Sequence, residues 1–211
     1  MGRMGGLAAA LLSTSMAWLP ACAPLSGKQA PGDTDRKFGL SSYIEEGSLI
    51  SLIVGARPAR FREDRDYMPL EVAVVNKGLK SLTFGPESFT LLDKAGNRYA
   101  AVGREELAKG YGNVDLDRRL GEIGPAVRGR YQAYGRLPST LTPSFDKPVP
   151  RRLHLPRYTY VLDFLYFPRP AEGVGSGPFE LFLDAPELPD PVFVRFEVKT
   201  RARKDKSGSA R

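Results

Sequence analysis

The chain of 211 residues carries 31 lysines and arginines against 24 aspartates and glutamates, with one cysteine and one histidine. A single cysteine excludes an internal disulfide, and one cysteine with one histidine are too few for a zinc centre. The net charge of +7 does not indicate a nucleic-acid-binding face, because residues 199–211 hold six of the basic residues and a single acidic one. We therefore predict no nucleic-acid partner, and stability from a hydrophobic core.

The N-terminal segment combines one charge, Arg3, with an apolar or small run over residues 5–19. This arrangement is typical of a secretory signal peptide. The run is shorter than the roughly 20 apolar residues that a transmembrane helix needs. Residues 1–21 are therefore predicted to be an export signal.

The signal ends in Leu19-Pro20-Ala21-Cys22, which contains the only cysteine of the chain. These residues resemble the lipobox of bacterial lipoproteins, in which Leu19, Ala21 and Cys22 match and Pro20 replaces the usual small residue. The resemblance implies cleavage before Cys22, a lipid such as palmitate at Cys22, and attachment to a membrane of the cell envelope. Because Ala23 is not the aspartate that marks inner-membrane retention in that family, the resemblance favours the outer membrane. Two alternatives stay open: ordinary signal cleavage after Ala23, and an unprocessed chain with an apolar N terminus.

The sequence after the signal divides into a linker, a folded domain and a tail. Residues 22–42 mix proline, glycine, serine and charged side chains, which predicts a flexible linker. The domain is predicted at residues 43–200, with an atypical insertion at 103–157. Residues 201–211 are predicted to be a basic, disordered tail.

Short apolar segments bounded by glycine or turn residues predict the strands of the domain. They lie at residues 49–54, 70–75, 82–84, 89–92, 98–102, 179–183 and 192–198. Asp93–Asn97 predicts a hairpin loop in which Gly96 takes a positive φ. Residues 158–167 are largely apolar at both alternating sets of positions, which predicts a central strand covered on both faces.

Three of these segments carry a second resemblance. Leu70–Asn76 is a hydrophobic strand that ends in asparagine, and Phe89–Asp93 with Gly96–Tyr99 has the form Phe-x-Leu-x-Asp, Gly, Tyr. This pattern is similar to immunoglobulin-like domains of exported bacterial proteins of unknown function, and it extends over residues 48–102 and 158–198. The resemblance implies an all-β fold, an immunoglobulin-like β-sandwich. It implies little about function, because such sandwiches host many unrelated roles.

The insertion has the least typical composition of the domain. Glu105–Lys109 and Val114–Leu120 predict two short helices, with Asp115 as a candidate cap of the second. From Gly121 onward, repeated glycines and prolines predict irregular backbone. A connection of this length in a compact domain is functional or mobile.

Arginines and tyrosines of the insertion form the candidate binding set, because these residue types anchor recognition surfaces. The set consists of Tyr111, Arg118, Arg119, Arg128, Arg130, Tyr131 and Tyr134. One interpretation is a loop that binds an envelope protein or a polyanion. The other is a solvated loop whose tyrosines pack their rings on the sandwich and expose their hydroxyls.

Signals for catalysis, metals and cofactors are weak in this sequence. His154, the only histidine, lies between Leu153 and Leu155 without a Gly-x-Ser-x-Gly element elsewhere, and we predict a structural role for it. Gly173–Gly177 precedes a proline and a strand, which predicts a hairpin loop and not a phosphate cradle. We predict no cofactor and no metal; a calcium site built from loop oxygens stays open.

These observations predict a non-enzymatic binding or scaffolding protein of the cell envelope, anchored to the membrane through a lipid at Cys22. The alternative is an envelope enzyme, or an enzyme accessory, that acts on glycan through Glu105, Glu106, Asp115 or Asp163. A third interpretation is a structural spacer.

Overall fold

The computed structural model describes residues 37–109, 111–138, 141–142, 152–170 and 177–198. The predicted signal, the lipobox with Cys22, the basic tail and residues 173–176 of the glycine-rich loop lie outside the described residues. Every described element belongs to one compact unit, Asp33–Arg211, which therefore contains a complete core of its own. No helix in the described part of the chain has the length and apolar character needed to cross a membrane.

Twelve strands and four α-helices make up the described residues. The strands are β1 (Lys37–Gly39), β2 (Ser42–Glu46), β3 (Ile50–Gly55), β4 (Tyr67–Asn76), β5 (Ser81–Phe84), β6 (Phe89–Leu92), β7 (Arg98–Ala100), β8 (Gly135–Arg136), β9 (Leu153–Pro156), β10 (Thr159–Pro168), β11 (Pro178–Leu183) and β12 (Val192–Glu197). The helices are α1 (Arg57–Arg60), α2 (Arg104–Ala108), α3 (Val114–Leu120) and α4 (Ile123–Arg130), and a 3-10 turn spans Pro86–Ser88. The described chain is predominantly strand, which confirms the predicted all-β class.

The strands form three sheets. The largest has the order β1-β2-β3-β4-β10-β8, the second has the order β12-β11-β6-β7, and β5 pairs with β9 in a two-stranded sheet. All pairs are antiparallel except the edge pair β8 and β10. The longest ladder joins β4 to β10 over ten residue pairs, from Thr159 opposite Asn76 to Pro168 opposite Tyr67.

The main core lies between the six-stranded and four-stranded sheets. Side chains at alternate positions of β4, namely Leu70, Val72 and Val74, belong to the same buried cluster as Phe179 and Phe196 of the second sheet. The rings of Phe179 and Phe196 stack with centroids 5.6 Å apart. Each fully buried side chain of this size contributes about 1.5–3 kcal/mol, so this cluster is the main source of stability.

The helical insertion covers the other face of the six-stranded sheet. Ile123 and Val127 of α4 and its C-cap Tyr131, spaced four residues apart, pack with Ala73 and Val75 of β4. Since β4 and β10 contribute buried side chains to both faces, the predicted central strand with two covered faces is confirmed. This arrangement requires the apolar residues that fill both alternating sets of β10.

Helix α4 corrects the prediction of irregular backbone after Gly121. Pro125 is the third residue of α4, where the backbone N–H has no intrahelical acceptor, so proline is tolerated. A Cβ at Gly121 would lie 2.9 Å from Oε1 of Glu71, and one at Gly124 would lie 3.4 Å from Cδ2 of Leu162. The glycines therefore permit close approach of α4 to the sheet.

Two further predictions, on the linker and on the cap of α3, need correction. Strand β1 and the first residue of β2 lie inside the predicted linker 22–42, so ordered structure begins by Lys37. Helix α3 has the predicted bounds, but its N-cap is Asn113, which makes no side-chain capping bond, and Asp115 lies in the first turn.

The hairpin prediction is confirmed: Gly96 has φ +85°, and Oδ1 of Asp93 accepts the N–H groups of Ala95 and Asn97.

Candidate interaction surface

Tyr158 has an unusual backbone conformation at the start of β10. It is the one non-glycine residue with a positive φ among those described, at 60°, and it exposes 51% of its surface. The left-handed region costs a residue with a Cβ roughly 1–2 kcal/mol. Two hydrogen bonds hold the strained peptide: its N–H donates to the carbonyl of Asn76 at 2.8 Å, and its carbonyl accepts the N–H of Gly135 at 2.9 Å.

Three tyrosines form a ladder from the core to the surface. The buried ring of Tyr131 meets Tyr134 edge-on at a centroid distance of 5.4 Å, and Tyr134 meets Tyr158 in the same way at 5.7 Å. The guanidinium carbon of Arg157 lies 4.8 Å from the centroid of the Tyr158 ring. Such edge-to-face and cation–π contacts favour a fixed ring orientation, so Tyr158 is presented on the surface in a defined pose.

Charged side chains surround the outer end of this ladder. Nε of Arg157 donates to the carbonyl of Lys77 at 3.5 Å, and Nζ of Lys77 lies 3.4 Å from Oε1 of Glu46. Arg130 of α4 pairs with the other oxygen of Glu46. Glu46, Lys77, Arg130, Tyr134, Arg157 and Tyr158 are named here the arginine–tyrosine rim, which contains three cations and one carboxylate.

The structure brings together only part of the predicted binding set. Arg130, Tyr131 and Tyr134 belong to the ladder or the rim, although Tyr131 is buried and supports the surface from below. Tyr111 is buried elsewhere, against Tyr67 and Tyr166. Both buried tyrosines therefore act in packing.

The remaining arginines of the predicted set lie on the exposed sides of α3 and α4. Arg118 lies 3.4 Å from Asp115 in a solvent-exposed pair. Arg119 is exposed, and Arg128 is exposed with its guanidinium close to Gly124. Sequence reasoning missed Arg157, Tyr158, Lys77 and Glu46. They lie at or next to the ends of strands that are distant in sequence, and they meet only because those strands pair.

Three buried carboxyl groups form hydrogen bonds with residues of the insertion 103–157. Asp117 pairs with Arg62 at 2.7 Å and accepts the hydroxyl of Tyr111 at 2.6 Å, and burial together with Asp117 raises the pKa of Tyr111. Oδ2 of Asp163 accepts the N–H groups of Leu141 and Thr142 at 2.6 and 2.7 Å. These carboxylates join elements distant in sequence.

Glu71 is the third buried carboxyl group, with 4% of its surface exposed. Its Oε2 accepts the N–H of Glu122 at 2.6 Å and the N–H of Ile123 at 2.9 Å, at the N terminus of α4. This position satisfies two N–H groups that a helix leaves unpaired. Burial raises the pKa of Glu71, against the opposing effect of these N–H groups and of Arg128.

Glu71→Gln is expected to change the pH dependence of stability. A carboxyl group whose pKa is raised by folding binds its proton more tightly in the folded chain, so it favours folding at low pH. That contribution is lost as the pH rises from about 4, the unfolded value, through the raised pKa. The unfolding free energy of Glu71→Gln, measured in urea, should therefore improve relative to the parent as pH rises. A difference that is independent of pH would contradict this assignment.

The carboxylates considered for glycan chemistry do not share one environment. Glu105 and Asp115 are exposed, Glu106 is exposed and accepts the Tyr67 hydroxyl at 3.1 Å, and Asp163 is buried. His154 is exposed on β9, with Nδ1 3.1 Å from Oγ1 of Thr83. Within the described ranges no group of three or more His, Cys, Asp or Glu side chains could hold a metal ion.

Comparisons with known proteins do not identify a family for this chain. No protein-family model and no curated protein matches the chain. A Bacillus subtilis protein described as a "putative lipoprotein" (ycdA) aligns with 74% of this chain at 11% identity and a TM-score of 0.40; the chain spans 38% of that protein's length. The yjhA protein of Bacillus subtilis aligns over 73% of this chain and 96% of its own length, at 11% identity and a TM-score of 0.37. Both TM-scores are too low to establish a shared fold.

Proposed function

We propose that this protein is a lipid-anchored binding or scaffolding protein of the cell envelope, and that it acts without catalysis through the arginine–tyrosine rim. The observation that carries the proposal is the strained, half-exposed Tyr158, held between Arg157 and Tyr134. Backbone strain persists where surrounding structure over-determines it, and it clusters at functional sites. Arginine and tyrosine are the side chains that most often anchor interfaces.

The proposal of a non-catalytic role is supported by the contacts that the buried carboxylates make within the protein. Asp117, Asp163 and Glu71 each bind protein N–H, hydroxyl or guanidinium groups. Each therefore has a structural task that accounts for its burial. Glycosidic chemistry needs two carboxyl groups facing one substrate, whereas these three carboxyl groups bind protein groups.

We propose that the domain is an immunoglobulin-like β-sandwich. Its support is the antiparallel six-stranded and four-stranded sheets that share one core. The helices on the outer face of the larger sheet and the parallel strand β8 would then be additions made by the insertion 103–157.

The anchor is proposed from the lipobox resemblance, with Cys22 as the modified residue. Mass spectrometry of the membrane-extracted chain is expected to find an acylated N-terminal peptide that begins at Cys22. Cys22→Ala should remove the adduct and either release the exported chain or leave an uncleaved precursor, whereas Ser26→Ala should change neither. An unmodified Cys22 in a membrane-bound chain would refute the anchor.

Sorting to the outer membrane is proposed from Ala23. In an organism with two membranes, density-gradient fractionation should place the parent chain in the outer membrane. Ala23→Asp should move it to the inner membrane, because that residue marks retention in the family that the lipobox resembles.

The rim is tested by photo-crosslinking in intact cells. A photoreactive side chain at position 158 is expected to capture an envelope component, and the same side chain at Arg98 of β7, which is exposed on the other sheet, is not. Equal capture at both positions, or none at position 158, would remove the rim from the proposal.

A further inference from the structure

The chain enters the folded unit next to the rim. Phe38 of β1, one residue after the first described residue, packs against the cluster beneath α4. The guanidinium carbon of Arg130 lies 6.0 Å from the centroid of the Phe38 ring. The part of the predicted linker 22–42 that precedes β1, residues 22–36, therefore joins the folded unit beside the arginine–tyrosine rim.

The composition of residues 22–36 predicts a flexible coil. A random coil of about fifteen residues has a root-mean-square end-to-end distance of about 20 Å. If Cys22 is lipidated as proposed above, the face of the unit at which the linker ends lies within a short distance of a membrane. The rim is on that face, because Arg130 contacts Phe38.

The chemistry of the rim matches a phospholipid headgroup layer. Lys77 and Arg130 both pair with the single carboxylate of Glu46, and Arg157 adds a third cation, so the rim has an excess of positive charge. Guanidinium groups bind phosphate oxygens in a bidentate manner. Tyrosine is enriched at membrane interfaces because its ring is apolar and its hydroxyl is polar, and Tyr158 presents its ring half-exposed beside Arg157.

We propose that the arginine–tyrosine rim docks on the anionic phospholipid surface of the membrane that holds the chain. The inference rests on the proposed lipid anchor and specifies the partner of the same rim. Tyr158 enters the interfacial layer, and Arg157, Lys77 and Arg130 bind headgroup phosphates. Docking would fix the orientation of the domain, since a linker alone leaves it free to rotate.

A low affinity of the rim for lipid is sufficient for docking when the chain is tethered to the membrane. A short linker raises the effective concentration of the surface at the membrane to the millimolar range. Each basic residue near an anionic membrane strengthens association by about fivefold, the factor equivalent to about 1 kcal/mol. Untethered chain should therefore bind anionic vesicles weakly but measurably.

The test uses residues 33–211, the compact unit that contains the whole described core. This unit lacks Trp18, the only tryptophan of the chain, so Tyr158→Trp provides a single reporter at the rim. Its fluorescence should shift to the blue on addition of vesicles of phosphatidylcholine mixed with phosphatidylglycerol, and not with phosphatidylcholine alone. Phe193→Trp, on the outer face of the four-stranded sheet, should show no shift.

A charge change at the rim gives the second measurement. Arg157→Gln in the Tyr158→Trp chain is expected to raise the lipid concentration at half-maximal shift about fivefold. Arg98→Gln, which removes the same charge from the other sheet, should leave that concentration unchanged. Equal effects of the two substitutions would show that net charge, and not the rim, governs binding.

Three results would overturn the inference. One is a Tyr158→Trp chain that sediments with the vesicles without a shift in its fluorescence, which would assign binding to the basic tail. Another is a shift with soluble polyphosphate but not with vesicles, which would make the partner a soluble polyanion. The last is no association at all. None of these readouts depends on Cys22, so a failed anchor and a failed rim are distinguished by the mass spectrum of the Cys22 peptide.

Discussion

Asp117→Ala is expected to lower the free energy of unfolding by about 3–5 kcal/mol, the range for removal of one partner from a buried ion pair. The carboxylate of Asp117 is fully buried and binds Arg62 and the hydroxyl of Tyr111. Alanine leaves the Arg62 guanidinium, which is partly buried, without its counter-ion. It also leaves the Tyr111 hydroxyl without its acceptor. Urea denaturation followed by circular dichroism measures the effect.

Asp115→Ala is the matched control for that experiment. It makes the same chemical change two residues earlier in α3, where the carboxylate is exposed and lies 3.4 Å from Arg118. Exposed pairs contribute about 0–1 kcal/mol, so the variant should stay close to the parent. Similar losses for the two variants would contradict the buried position of Asp117.

Asn76→Ala is expected to lower the free energy of unfolding by about 3 kcal/mol, because it leaves several buried polar groups unpaired. Nδ2 of Asn76 donates to the carbonyls of Leu79 and Leu155 at 3.0 and 2.9 Å, and its Oδ1 accepts the N–H of Leu79 at 3.0 Å. The side chain thereby joins the end of β4, the turn after it and β9. Thermal and urea unfolding measure the loss.

Asn113→Ala provides the comparison for Asn76. Asn113 is the N-cap of α3 but makes no side-chain capping bond, so its loss should cost less than the roughly 1 kcal/mol usual for a cap. Asn76 also has a second role, since its backbone carbonyl accepts the N–H of Tyr158. A loss of stability in Asn76→Ala no larger than in Asn113→Ala would show that the Asn76 bonds are replaced by water.

The insertion has a clear physical task in this fold. The outer face of the six-stranded sheet carries Ala73, Val75 and Tyr160, which would be exposed without α4. The same face carries the carboxyl of Glu71, which α4 covers with its first N–H groups. The helix therefore buries apolar surface and pairs a buried polar group in one contact, and it places Arg130 at the rim.

Much of the strand structure could be predicted because its signals are local. Leu70–Asn76 and residues 158–167 show their buried positions through an alternation that depends only on neighbouring residues. The hairpin at Asp93–Asn97 was predictable for the same reason, since Asp93 bonds to N–H groups two and four residues away. The short helices α2 and α3 also follow from local composition.

Two features depend on tertiary contacts: helix α4, which the local sequence disfavours, and the arginine–tyrosine rim, which the local sequence does not indicate. Gly121, Gly124 and Pro125 disfavour a helix by intrinsic propensity. Helix α4 forms nevertheless, with the two glycines permitting close approach to Glu71 and the sheet. The rim likewise depends on contacts between distant segments: Arg157 meets Lys77, and Tyr158 is held by Asn76 and Gly135. The sequence alone therefore determined which residue types were available, an excess of arginine and tyrosine in and beside the insertion. Strand pairing determined which of them meet on one surface, because hydrogen bonds to β4 and β8 hold the left-handed backbone of Tyr158 in place.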